Sequence, residues 1–120
     1  MPSRMKKHVQ FGLDAHRRTY EWIREGVVAK EVAVKYIEYF KENSYGKHYL
    51  YGPCHGCGII EVERPWMETI SDYRLKENLT FMADTFFTCE EYGFRWEDGF
   101  RVKKEGVEEF SSAYQKVIEL

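Results

Sequence analysis

The residues most able to do chemistry are a histidine and two acids placed far apart along the chain. His55 lies in Gly-Pro-Cys-His-Gly-Cys-Gly (52 to 58), between small turn-forming residues and ahead of an apolar run that ends in a proline, within a stretch that reaches Trp66. Pro53 fixes its own φ, and Gly56 and Gly58 are expected to take backbone conformations denied to other residues. A histidine held at such a corner can point into a site. Asp84 sits in the middle of Leu79 to Cys89, a stretch rich in phenylalanine and threonine, and Glu97 lies in Phe94-Arg95-Trp96-Glu97. An ionised acid inside an apolar strand is costly unless it is paired, so Asp84 calls for a partner. Arg95 shares a strand face with Glu97 and is a candidate to orient that carboxylate, while Arg95 or Arg64 could instead neutralise both acids in ion pairs. The Cys54-His55-x-Cys57 cluster also invites a zinc or redox reading. Only Cys89, His48 or a carboxylate remains to complete four ligands, so that reading falls short.

These residues must be positioned by elements that the hydrophobic period reveals. Residues 1–12 show little pattern and are expected to be a lead-in segment, with a single domain over 13–120. From about Leu13 the period turns helical, with Ala15, Thr19, Trp22, Ile23 and Gly26 on one stripe, and Gly26 is expected to stop the helix. A second helix is expected over Ala29 to Asn43, where Ala33, Tyr36, Ile37 and Phe40 make a core-facing stripe. Glu31 and Lys35 form a favourable pair on its outer side.

After Gly46 the period changes to two. Short strands are expected at Tyr49–Tyr51 and Gly58–Glu63, with an irregular connection over Pro65 to Asn78. Leu79 to Cys89 is the clearest strand, carrying Phe81, Ala83 and Thr85 on one face and Met82, Asp84 and Phe86 on the other. Glu90 to Gly93 reads as a hairpin loop that returns through Phe94 to Glu97, and Phe100 to Lys103 continues it. A turn at 104–106 leads to Val107 to Phe110, and Ser111 to Leu120 has a helical look. Trp22, Trp66 and Trp96 are expected in the core. Two helices followed by antiparallel strands make an α+β fold.

Composition narrows the function classes. The 120 residues suffice for one modest core, and 17% aromatic content argues for a folded protein. Eighteen basic and twenty acidic side chains leave a net charge of −2, which offers no general field for nucleic acid or an anionic membrane. The small basic clusters at Arg4, Lys6 and Lys7, and at His16 to Arg18, are expected on solvated faces. No apolar run approaches the roughly 20 residues needed to span a bilayer. Three cysteines without a secretory signal favour reduced thiols and a cytoplasmic location.

Three segments in order carry a family likeness: His-Gly-Cys-Gly at 55–58, Glu-Asn-Leu-Thr-Phe-Met-Ala-Asp at 77–84, and Arg-Trp-Glu-Asp at 95–98. This pattern resembles the carboxy-terminal half of the pita-bread metallopeptidases, the superfamily of creatinase, Xaa-Pro dipeptidase, aminopeptidase P and methionine aminopeptidase. The resemblance spans about Leu13 to Ser111. It implies half of a pita-bread domain with a curved antiparallel sheet, and it puts His55, Asp84 and Glu97 at metal-ligand positions. Imidazole and carboxylates suit Mn, Co, Zn or Fe, and the reaction implied is hydrolysis of an Xaa-Pro or related C–N bond in a small peptide or amide.

The chain departs from the family pattern in three ways. Asp84 stands where glutamate is usual. Val62 stands where peptidase members carry a second histidine. Two further aspartate ligands are implied on strands ahead of the helices, and Asp14 is the only aspartate before His55. A missing ligand pair implies that this chain alone holds metal poorly or is impaired. A lone half would also expose apolar surface, so a homo-oligomer or a missing amino-terminal half is expected to cover it. The competing expectation is a non-catalytic half-domain that dimerises or docks a partner, its acids serving ion pairs.

Overall fold

The computed structural model describes residues 1–118. Two helices, α1 (Ser3–Glu21) and α2 (Ala29–Glu42), precede five strands: β1 (Cys54–Gly56), β2 (Glu63–Met67), β3 (Thr80–Thr88), β4 (Gly93–Lys103) and β5 (Gly106–Glu109). The strands form one antiparallel sheet in the order β2-β1-β3-β4-β5.

Helix α1 begins well before Leu13, and the residues expected as a lead-in segment form its first turns. Pro2 occupies the cap position with φ −56°, and the Lys6 amide donates to its carbonyl at 3.0 Å. The buried positions of this first part are His8, Phe11 and Gly12. A histidine and a glycine carry little hydrophobic signal, so the stripe is invisible to a count of apolar residues. The helix ends at Glu21, and Gly26 serves the following loop instead of stopping the helix. Its φ of +86° is open to glycine at little cost, and its amide donates to the Leu75 carbonyl at 2.8 Å.

Helix α2 matches its expected span, with Ala33, Tyr36 and Phe40 buried as the stripe requires, whereas Ile37, expected in the stripe, is only half-buried and Val32 takes a core position instead. Two departures occur after it. Tyr49 makes only an isolated bridge to Phe87 after a 3-10 turn at Gly46–His48, so Tyr49–Tyr51 is no strand. The expected strand at Gly58–Glu63 is a loop, because β1 occupies Cys54–Gly56 and β2 starts only at Glu63, inside the span expected to be irregular.

Strand parity divides the sheet into two faces. Phe81, Ala83, Thr85 and Phe87 of β3 point to the helices and are all buried, together with Phe100 and Val102 of β4. They pack into two groups. Ile23, Val32, Met67, Leu75, Phe81, Phe100 and Val102 form one, and Phe11, Tyr36, Phe40 and Phe87 the other. Each such side chain contributes about 1.5–3 kcal/mol on burial. The other face carries the chemistry. At the carboxy end, Ser112–Tyr114 is a short 3-10 turn, and Tyr114 and Ile118 are exposed, so the expected closing helix does not form there. Glu119 and Leu120 lie outside the described residues.

Candidate metal centre

His55, Asp84 and Glu97 come from three neighbouring strands. His55 is the register partner of Met82 on β3, and Met82 shares a face with Asp84 two residues along. Asp84 in turn stands directly opposite Glu97 on β4. All three side chains therefore rise from the face turned away from the helices. Among the described residues they are the one group of three or more histidine, cysteine or acidic side chains that could hold a metal ion, with donor atoms all within 4.8 Å of one another.

The distances define a compact cluster. His55 Nε2 lies 3.3 Å from Glu97 Oε1 and 3.9 Å from Asp84 Oδ2. His55 Nδ1 is 3.1 Å from the Gly56 carbonyl oxygen, which can only accept a hydrogen bond. Glu97 Oε1, 3.3 Å from Nε2, likewise only accepts, so both ring nitrogens face acceptors; with Nδ1–H kept on Gly56, Nε2 is the nitrogen that an ion would take up in place of its proton. Arg95 donates from Nη2 to Glu97 Oε2, and its Nε stands 3.8 Å from Asp84 Oδ1. The expected orienting contact to Glu97 is thus made, and one guanidinium serves both acids. Even so, Asp84 Oδ1 is buried without a hydrogen-bond partner. Burial holds the Asp84 carboxyl above the usual carboxylate range. Glu97 pushes it the same way, and Arg95 opposes both.

The glycine after His55 is needed for space. A Cβ on Gly56 would lie 2.7 Å from the Arg64 carbonyl oxygen and 2.8 Å from its carbon. Here β1 and β2 shift register, pairing His55 with Trp66 but Gly56 with Glu63. Neither Gly56 nor Gly58 has a positive φ; that feature falls on Gly52, at +109°.

A cleft of about 310 Å³ opens beside the three side chains, walled by Tyr51, Glu61, Val62, Trp66, Glu68 and Arg95 among others. Trp66, expected in the core, instead stands edge-on to His55 with ring centroids 6.2 Å apart. The β1–β2 pairing that sets it opposite His55 puts it there, a contact that no local period in the sequence reveals. Cys54, one residue from His55, points the other way into the apolar core. Burial pushes its thiol well above the ordinary range, leaving it protonated and without the thiolate a zinc site needs.

Behind the sheet a second histidine meets the same strands. His16 of α1 is fully buried, against the expectation of a solvated basic face. Its Nδ1 lies 3.2 Å from Thr85 Oγ1 and its Nε2 3.0 Å from Asp98 Oδ2, with the Tyr20 hydroxyl 3.2 Å from Nε2. Its spacing with Tyr20 and Ile23, at i, i+4 and i+7, marks it as core-facing.

The sequence pattern of metallopeptidase family M24 matches residues 1–104. The chain belongs to that family. This M24 chain is 29% identical over 114 residues to an uncharacterized peptidase of Methanocaldococcus jannaschii, a match that covers 91% of the chain and 32% of the relative. Its fold matches the Xaa-Pro dipeptidase from Bacillus anthracis with a TM-score of 0.92 at 24% identity, over 99% of this chain and 34% of that one. The X-Pro aminopeptidase from Thermotoga maritima gives 0.90 at 24% identity, over 98% and 34%. The fold is therefore a partial pita-bread domain, and the chain spans about a third of the length of these relatives.

The family is metal-dependent, and the donor set fits a first-row divalent ion. Two donors each about 2.1 Å from one ion stand roughly 3.0 Å apart at a right angle and about 4.2 Å apart when opposite. The separations of 3.3 and 3.9 Å fall in that range, and the 4.8 Å limit calls for only a small turn of one carboxylate. Asp84 Oδ2 and Glu97 Oε1 are the oxygens turned to His55 Nε2, while Asp84 Oδ1 faces Arg95, so one oxygen of each acid is left to the ion.

Proposed function

We propose that this chain supplies the His55, Asp84 and Glu97 ligands of a metal-dependent hydrolase of the Xaa-Pro dipeptidase or aminopeptidase type. The observation that carries this reading is the convergence of His55 Nε2 with carboxylate oxygens of Asp84 and Glu97, at 3.9 and 3.3 Å, in one compact, largely buried cluster. A divalent ion, Mn, Co, Zn or Fe, would supply Lewis acidity and an activated water there. Gly56 fixes the tautomer of His55, and Arg95 holds the far oxygen of Glu97 so that the near one faces the site. Val62 and Trp66 give the cleft an apolar wall suited to a small, ring-bearing residue, and Glu61 and Glu68 favour a positively charged amino terminus.

Because the chain spans about a third of its relatives, further ligands and part of the substrate wall come, on this reading, from a complementary segment or a second copy. The isolated chain is then inactive or impaired while still binding metal, and a cytoplasmic setting belongs to the same proposal. Ile59 is 98% exposed and Ile60, Val62 and Ile70 are exposed nearby, apolar surface that an assembly would cover.

Protein purified without chelator and titrated with Co²⁺ or Mn²⁺ tests the reading. Binding that is lost in His55→Ala and Glu97→Gln is expected, with weak or no cleavage of an Xaa-Pro dipeptide by the chain alone. Equal binding by wild type and both variants would overturn it. A second reading, a non-catalytic half-domain that docks a partner, draws support from Arg95, which already serves both acids. It predicts no metal in the purified protein and an assembly that forms without it.

A further inference from the structure

His16 reaches the two strands of the metal centre from behind. Its two ring nitrogens contact Thr85 and Asp98. These are the residues that directly follow Asp84 and Glu97 in the chain. Because successive side chains of a strand alternate, Thr85 and Asp98 point to the helices exactly as their neighbours point to the cleft. One imidazole on α1 therefore spans β3 and β4 at the level of the two acids.

The bridge has a direction. A carboxylate only accepts, so Nε2–H donates to Asp98, and the Nδ1 lone pair accepts from the Thr85 hydroxyl. A residue chosen only to fill this space between apolar groups would be a leucine or phenylalanine, with no polar group to satisfy.

We infer that His16 is a positioning residue for the metal centre, setting through Thr85 and Asp98 the separation at which Asp84 and Glu97 present their carboxylates. The inference rests on the reading of those acids as ligands. Outer partners of this kind typically change metal affinity by about 10- to 100-fold when removed.

Co²⁺ titration followed by calorimetry and by the visible absorption of the bound ion tests it, run well below the unfolding temperature of every variant. His16→Leu is expected to weaken binding by at least about tenfold and to shift the Co²⁺ absorption band. His16→Gln, whose amide can still reach Asp98, is expected to recover part of both. Where His16→Leu does not fold, Thr85→Val removes one arm of the bridge at nearly constant shape and is expected to weaken Co²⁺ binding several-fold. Wild-type affinity and spectrum in the folded variant would overturn the inference.

A readout without metal separates this failure from that of the proposed function. The carboxyl ¹³C shifts of Asp84 and Glu97 in the metal-free protein are expected to move in these variants. If wild type binds no Co²⁺, the proposed function fails, and unmoved carboxyl shifts would then sink the role of His16 as well.

Discussion

Asp84 and Glu97 are register partners across β3 and β4, two acids set directly opposite one another on one face of the sheet. Like charges in that relation are destabilising, and a fold selected only for stability would avoid them. Asp84 is only 3% exposed, which removes most of the water that could screen the pair. The arrangement makes sense where a cation completes it.

The first prediction separates binding from stability. Burial and Glu97 both hold the Asp84 carboxyl above its ordinary range. A carboxyl raised in the folded state contributes stability below its unfolded value near pH 3.8, and loses it as pH rises through the folded value. At pH 7, Asp84→Asn should therefore raise the thermal midpoint of the metal-free protein while abolishing its Co²⁺ binding. Differential scanning calorimetry paired with a Co²⁺ titration checks both signs.

Arg95 is the cation already present. Removing it as Arg95→Met leaves Asp84 and Glu97 facing each other with no full cation between them, and should destabilise the metal-free protein by about 1 kcal/mol, a figure kept small because Arg95 is half exposed. Added divalent metal should recover part of the loss. Urea titrations with and without Mn²⁺ would show this, and an equal loss in both conditions would count against a shared role.

Gly56→Ala tests the close approach of β2. Its Cβ would meet the Arg64 backbone at 2.7 to 2.8 Å, and backbone cannot swing aside as a side chain can. A cost of about 1–3 kcal/mol is expected, together with altered His55 ring resonances in NMR spectra. Gly26→Ala, where nothing lies within 4 Å, should instead show only the strain of its positive φ.

Two buried histidines give the protein an acid limit. Burial lowers the pKa of His8, with His48 and Arg4 acting the same way, and burial lowers that of His16 against the pull of Asp98. A base depressed in the folded state binds its proton more readily when unfolded. Its contribution is present above the unfolded value near 6.5 and is lost as pH falls from there through the folded value. Urea midpoints should fall between pH 7.5 and pH 5.5, and His8→Phe, if folded, should flatten that slope.

Much of the site was legible in the sequence because its residues break local rules. Asp84 interrupts an apolar strand, and His55 sits among glycines, so each announces itself without knowledge of the fold. The strand parity of β3 followed from simple alternation, and α2 from a clean four-residue stripe. The start of α1 did not, because His8 and Gly12 hold buried positions with residue types that carry no hydrophobic signal. The pairing of β1 with β2 was also hidden. It depends on Gly56 admitting the Arg64 backbone, a contact between segments that no local period reveals. His16 was masked by the arginines that follow it, although its spacing to Tyr20 and Ile23 was that of a core face.

The two-faced sheet also makes the reading frame of the β3–β4 hairpin a chemical variable. Deleting one residue from the loop at 89–92 while the strands stay paired would rotate every later side chain of β4 by half a turn. Glu97 would then enter the packed layer beneath α1, and a tryptophan or Asp98 would take its place in the cleft. Loop length, far from any donor atom, thus decides which carboxylate the centre receives.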